Sequence, residues 1–287
     1  MDGPTDAVQD YYASYHEREL ARLVTAEGRL EFAVTTRLLA PHLPSSGRVL
    51  DLGGGPGRYS AWLAERGLEV TLADLSPNLL DLARGHLADR GASLREVVQT
   101  DARDLSRWPA ASFDAVLALG PFYHLPDPQD RERALAEIVR VTAPGGLVAT
   151  AWMPRWSLLR RTLAIADERD RLTDPAFVNG LLDRGEYTNA HRGRFTHAHG
   201  TDPARLPQEF AEAGLRTVVL ASTDGFANGL HDAVDALRTQ DPARYEAVLD
   251  LLARTATDPS LLGTAGHLLH LGRTGEGWTV VPAVLPG

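Results

Sequence analysis

Residues 49–60 read VLDLGGGPGRYS, and this stretch decides the fold. Val49, Leu50 and Leu52 around Asp51 form a short apolar run of strand type, and Gly53, Gly54, Gly55, Pro56 and Gly57 then form a turn. A helix is expected to open near Tyr59. Glycines let backbone approach a ligand without Cβ obstruction, and a helix amino terminus after such a turn favours an anion.

Outward from this turn, short apolar runs alternate with helical stretches. Strands are expected at 48–52, 69–73, 94–99, 113–119 and 147–152, a pattern of βαβ units on a parallel sheet. Gly67 and Pro144-Gly145-Gly146 supply stops between helix and strand. On the amino-terminal side, Val8, Tyr11, Tyr12, Tyr15, Leu20 and Leu23 recur at helical spacing over residues 5–23, and a second helix is predicted over 26–39, ended by Pro41. Residues 153–201 are rich in Arg, Asp and His and lack strand periodicity, so they read as an inserted helical lid or a mobile loop. The fold resumes with a helix at 203–213, a strand at 215–221, helical segments between 231 and 262, and a last strand at 266–272; the tail from 274 carries no assignment.

Composition narrows the chemistry. The chain has 287 residues, 44% hydrophobic and 23% charged, which suits a globular protein rather than a fibrous or disordered one. All 29 basic residues counted as Lys+Arg are arginine, and cysteine is absent. These absences exclude Schiff-base chemistry, a Gly-Lys-Ser/Thr phosphate loop, thiol nucleophiles and thiolate zinc sites. The net charge of -9 is opposite to a nucleic-acid footprint, so a small-molecule partner is expected and nucleic acid is not. The start, MDGPTDAVQD, lacks the basic and apolar segments of a signal peptide, and no run has the length of a membrane span, so the expected location is cytoplasmic with no membrane partner. Oligomeric state is left open.

The glycine turn admits two readings. A dinucleotide-binding Gly-x-Gly-x-x-Gly counted from Gly53 and Gly55 would need glycine where Arg58 stands, and Asp51 is unexpected beside an anionic pyrophosphate. A cationic or amino-acid-bearing ligand tolerates that acid better.

DLGGGPG at 51–57 resembles motif I of class I S-adenosylmethionine-dependent methyltransferases, and the resemblance continues in order. Asp74 in VTLADLSP (70–77) stands where the family places an acid on the ribose hydroxyls; the local alternative is a helix cap before Ser76-Pro77. Thr100-Asp101-Ala102 follows the third strand, where the family contacts adenine; a turn acid is the local alternative. LGPFYHL (119–125) follows the fourth strand, and residues 141–146 resemble the turn before the fifth. GRLEF (28–32), GPFYHL (120–125) and SLLGTAGHLLHLGR (260–273) further resemble actinobacterial small-molecule methyltransferases.

The resemblance implies an α/β, Rossmann-like, seven-stranded class I methyltransferase sheet with its last strand antiparallel and helices on both faces. It divides the chain into an amino-terminal helical cap (1–45), an S-adenosylmethionine-binding core (46–152), an inserted lid (153–201) and a core remainder with a helical insertion (202–287). Cofactor contacts are expected from Asp51, Gly53, Gly55, Gly57, Asp74, Leu75, Asp101, Ala102 and Leu119, with Tyr11, Tyr15 and Arg29 closing over from the cap. With lysine absent, Arg29 is a natural partner for the cofactor carboxylate. His124, beside Tyr123, could act as general base, although a structural role in its loop is equally open. His191, Arg194 and His197 are expected to face an acceptor of carboxylate or phenolate character. The pair His197 and His199 has no third ligand at a matching spacing, so no metal is expected. The implied activity is methyl transfer to oxygen or nitrogen, less readily carbon, of a small molecule in specialised metabolism. The alternatives are a nicotinamide-dependent oxidoreductase and a cofactor-binding protein of the same fold that catalyses a non-methylating reaction.

Overall fold

The computed structural model describes residues 16–188 and 197–275. The core is a sheet built from β1 (Arg48–Leu52), β2 (Glu69–Asp74), β3 (Glu96–Gln99), β4 (Phe113–Ala118) and β5 (Thr142–Pro154), followed by β8 (Leu215–Ser222) and β9 (Leu268–Thr274). Its order is β3-β2-β1-β4-β5-β9-β8, with β9 antiparallel to both its neighbours. The last strand is therefore antiparallel, as expected. The inner strands are buried on both faces, which is why VLDL and the β4 run FDAVLA read as nearly continuous apolar stretches.

Two apolar layers enclose this sheet. One face packs Leu50, Leu52, Val116 and Val148 against Ala134, Leu135 and Ile138 of α5 (Pro128–Val141) and Phe210 of α8 (Leu206–Glu212). The other packs Val49, Val70, Leu117 and Leu147 against Leu63 of α3 (Arg58–Ala64) and Leu39 of α2 (Ala26–Leu39). The α2 bounds coincide with the sequence expectation because both ends are locally encoded: the Thr25 side chain accepts from the Gly28 N–H at 3.1 Å, and Pro41 follows the last turn.

Three features depart from the sequence reading. First, residues 153–201 contribute strands as well as helices. After α6 (Arg155–Ala164) and α7 (Pro175–Asn179), β6 (Glu186–Tyr187) pairs antiparallel with β7 (Ala198–Thr201), and β7 continues the sheet beside the end of β5. These strands of two and four residues are too short to show alternation. Second, β5 runs thirteen residues through the Pro144-Gly145-Gly146 turn rather than starting at 147. Third, α9 (His231–Gln240) and α10 (Pro242–Thr255) join the amino-terminal helix α2. Leu30 and Val34 pack with Val234, Leu249 and Leu252, so the helical cap draws on both ends of the chain. Fully burying a leucine side chain is worth roughly 1.5–3 kcal/mol, so this cluster holds the three helices together. The expected strands 48–52, 69–73, 113–119, 215–221 and 266–272 each have a counterpart within two residues at either end. The 274–287 segment has β9 running to Thr274, and residues 276–287 lie outside the described residues.

Candidate functional site

In a parallel sheet, the order of strands reverses between the two whose connections leave on opposite sides, and a crevice opens there. Here that point lies between β1 and β4. The glycine turn follows β1 and the PFYH turn follows β4, and the two approach closely: a Cβ on Gly53 would lie 2.8 Å from Pro121 Cγ. Gly53, Gly55 and Gly57 take φ of 67°, 53° and 78°. The turn is fastened by the Gly53 N–H to the Ala73 carbonyl at 2.7 Å. A Cβ on Gly55 would meet only Leu79, at 3.9 Å, so this position leaves room beside the backbone.

A cleft runs from this turn across the ends of β2 and β4. Asp51, Gly53, Gly55, Asp74, Leu75, Asp101, Ala102 and Leu119 all line it, as do Tyr123 and His124. Gly57 does not; it is the left-handed residue before α3, with Leu72 and Ala83 against it. The acids are held in place. Asp51 is buried and accepts from the Ser60 hydroxyl at 2.6 Å. Burial pushes its carboxyl up to about 6, opposed by the Ser60 bond and reinforced by the charge of Asp74. Asp74 accepts from the Gly55 N–H at 2.9 Å and from the Ser76 N–H at 2.8 Å. Ser76, rather than Asp74, caps the following helix α4 (Pro77–Asp89), its hydroxyl accepting from Leu79 N–H. Asp101 is gripped through both oxygens by Arg103, which also reaches Asp130 at 2.8 Å. Burial would raise the Asp101 carboxyl, but the Arg103 side-chain and backbone bonds hold it below the usual range.

One expectation is corrected. Arg29 is not among the lining residues; it forms a two-pronged ion pair with Asp235 of α9 and donates to the Val24 carbonyl, so its guanidinium holds the cap together. The arginines that line the cleft are Arg22, Arg58 and Arg103. Arg58 lies over the Phe32 ring at 4.1 Å and donates to the carbonyls of Leu23 and Gly28, tying the helix after the glycine turn to the junction between α1 (His16–Leu23) and α2. The signal for it was available: Arg58 occupies the position where a dinucleotide turn needs glycine. For His124 both a general-base and a structural role were open. It is buried, and burial together with the charge of Arg22 pushes its imidazole down to about 3, so at neutral pH it is uncharged and a poor proton acceptor.

A second chamber of about 460 Å³ adjoins the cleft, sharing Arg22, Gly28 and Tyr123 with it. Its walls come from the α1–α2 segment and the start of α9, from α6 and from the residues just before β9, and they carry Glu27, Ser157, Arg160, Arg161, His231 and His267 along with apolar Met153, Ala164 and Ile165. The insert therefore meets this chamber through α6. His197 is exposed and lines neither cavity, while Tyr11, Tyr15, His191 and Arg194 lie outside the described residues. Sequence reasoning missed Arg22, Arg160, Arg161 and His267 as wall residues. No group of three or more metal-ligating side chains occurs among the described residues, and no described helix is long and apolar enough to cross a membrane.

Residues 50–150 match the family described as "Methyltransferase domain". The chain is 40% identical over 118 residues to the ubiquinone biosynthesis O-methyltransferase of Xanthomonas axonopodis pv. citri (strain 306), covering 41% of this chain and 46% of that protein. It is 35% identical over 146 residues to the demethylmenaquinone methyltransferase of Clavibacter sepedonicus, covering 51% and 56% respectively. The chain thus spans about half the length of these curated relatives. In three dimensions it resembles the Burkholderia thailandensis 1,6-didemethyltoxoflavin-N1-methyltransferase, solved with 1,6-didemethyltoxoflavin and S-adenosylhomocysteine bound. The TM-score is 0.56 at 18% identity, covering 96% of this chain and 92% of that one, a likeness of fold.

Proposed function

We propose, for a chain whose residues 50–150 belong to the class I S-adenosylmethionine-dependent methyltransferase domains, that it transfers a methyl group from S-adenosylmethionine to oxygen or nitrogen of a small molecule seated in the second chamber. One observation carries this reading: an acid-lined cleft at the β1/β4 switch point opens, through shared residues, into a chamber with polar and charged walls.

The cleft fits the cofactor chemically. Bound S-adenosylmethionine supplies an activated methyl on a cationic sulfonium, and Asp51, Asp74, Asp101 and Asp130 give the cleft more acid than a pyrophosphate would tolerate. Asp74, at the end of β2 and lining the cleft, is the carboxylate placed to accept from the ribose hydroxyls. Gly55 gives the methionine part room against the backbone, Leu75, Ala102 and Leu119 flank the adenosine, and Asp101 shares itself between Arg103 and the adenine amine. Arg22 takes the carboxylate-binding role first expected of Arg29. Tyr11 and Tyr15 would contribute from the amino-terminal segment.

The chamber suits an acceptor with anionic character, because Arg22, Arg160 and Arg161 outnumber Glu27 on its walls. A place in specialised metabolism fits the resemblance to small-molecule enzymes. Incubation with S-adenosylmethionine and a panel of hydroxybenzoates, catechols and small amines should give a product heavier by one methyl, with one S-adenosylhomocysteine formed per product. Tight cofactor binding with no methylated product across oxygen, nitrogen and carbon acceptors would favour a non-methylating reaction instead.

A further inference from the structure

Three segments outside the glycine turn, GRLEF (28–32), GPFYHL (120–125) and SLLGTAGHLLHLGR (260–273), lie far apart in sequence and meet at the boundary between the cleft and the chamber. Glu31, from the first, lines the cleft. Tyr123, from the second, lines both cavities. His267, from the third, lines the chamber; its Nδ1 stands 3.7 Å from Glu31 Oε1, and its ring centroid lies 5.8 Å from that of Tyr123.

The backbone that carries the imidazole is firmly positioned. The His267 carbonyl accepts from the Thr223 N–H at 3.0 Å and from its hydroxyl at 3.1 Å. The preceding Gly266 donates to both oxygens of Asp224, at 3.1 and 3.0 Å, and accepts from the Ser157 hydroxyl at 3.0 Å. These bonds fix the point from which the imidazole projects toward Glu31 and Tyr123. His267 retains 18% side-chain exposure, in contrast to buried His124. The charged groups sharing its chamber are Arg22, Glu27, Arg160, Arg161 and His231, and Glu31 is the carboxylate that faces its ring.

We infer that Glu31 and His267 form the proton-accepting pair for an acceptor phenol bearing a carboxylate. This rests on the methyl-transfer reading above. Glu31 is the positioning residue: facing Nδ1, it favours the tautomer protonated there and leaves Nε2 as the basic nitrogen. Nε2 takes the phenolic proton, the oxygen bonds to the methyl carbon, and the carbon–sulfur bond breaks with its electron pair remaining on sulfur. The proton then leaves His267 for solvent. Arg160 and Arg161 hold the carboxylate, and a phenol, itself ionising near pH 10, needs a positioned group to take its proton during transfer.

The test uses the full chain and 3,4-dihydroxybenzoate, 4-hydroxybenzoate and salicylate as probe acceptors. Calorimetry should give an S-adenosylmethionine affinity for His267→Gln within threefold of wild type. Methyl transfer to the probes by His267→Gln should fall about 100-fold or more at pH 7, lose the acid limb of the kcat/KM profile, and recover toward alkaline pH as the phenol ionises unaided. Glu31→Gln should fall about tenfold and keep the limb. Nitrogen-15 NMR of histidine-labelled protein in alkaline buffer should show His267 protonated on Nδ1 in wild type and as a tautomer mixture in Glu31→Gln. Wild type protonated on Nε2, or His267→Gln retaining the acid limb, overturns the pair's role while leaving methyl transfer standing. Wild type that binds the cofactor but methylates none of the probes overturns the phenolic acceptor class. Wild type that does not bind S-adenosylmethionine overturns the methyl-transfer reading and the pair with it.

Discussion

Gly55 donates its backbone N–H to Oδ2 of Asp74 at 2.9 Å, bridging nineteen positions of sequence and fastening the glycine turn to the end of β2. The other Asp74 oxygen accepts from Ser76, so the carboxylate organises two turns while facing the cleft. Asp74→Asn keeps the size but turns one acceptor oxygen into a donor. S-adenosylmethionine affinity should fall at least tenfold, about 1.4 kcal/mol, by calorimetry, with about 1–2 kcal/mol lost in urea unfolding. An affinity within twofold of wild type would remove Asp74 from the ribose site.

Two glycines in the left-handed region separate conformational cost from crowding. Gly67 has φ of 82° and open space within 4 Å of where an added methyl would sit, whereas a methyl on Gly53 would meet Pro121 at 2.8 Å. Gly67→Ala should cost about 1 kcal/mol. Gly53→Ala should cost about 1–3 kcal/mol more, because Pro121 has no flexible end to move aside. Equal losses in denaturant unfolding would show that the two turns do not pack as described.

Burial of Asp51 predicts a pH dependence of stability. Its carboxyl is raised to about 6 in the folded chain, against an unfolded value near 3.9. The folded state holds this proton more tightly, so the stabilisation is fully present below pH ~4 and is lost as pH rises through about 6. Asp51→Asn cannot lose a proton there. Its stability relative to wild type should therefore improve on the order of 2–3 kcal/mol between pH 4 and pH 7.5. A relative stability that is flat or falls over that interval would mean Asp51 is not desolvated.

The Arg29–Asp235 pair should prove structural. Arg29→Ala should cost up to about 1 kcal/mol, the range of partly exposed ion pairs, and leave S-adenosylmethionine affinity within twofold. A large loss of affinity with unchanged stability would restore Arg29 to the cofactor site.

These cases show what the sequence carried. The strand at 48–52, the positive-φ glycines and the bounds of α2 were legible because their causes are local: a buried apolar run, absent Cβ atoms, and Thr25 and Pro41 as signals at the two ends. Asp74 and Asp101 were singled out through the resemblance to the methyltransferase motifs, and both line the cleft together with Asp51. Arg29 was misplaced because its partner Asp235 lies 206 positions away, and no periodicity announces such a pairing. The same distance effect hid the joint cap of α2, α9 and α10 and the meeting of Glu31 with His267. The two roles left open for His124 could not be separated, because a sequence shows a histidine after a strand but not the burial that lowers its basicity.

The most direct measurement is calorimetric titration of the wild-type chain with S-adenosylmethionine and, separately, with NAD. One-to-one binding of S-adenosylmethionine in the micromolar range is expected, weakened at least tenfold by Asp74→Asn, with no measurable heat from NAD. Tight binding of NAD without binding of S-adenosylmethionine would contradict the assignment of the cleft to a sulfonium cofactor.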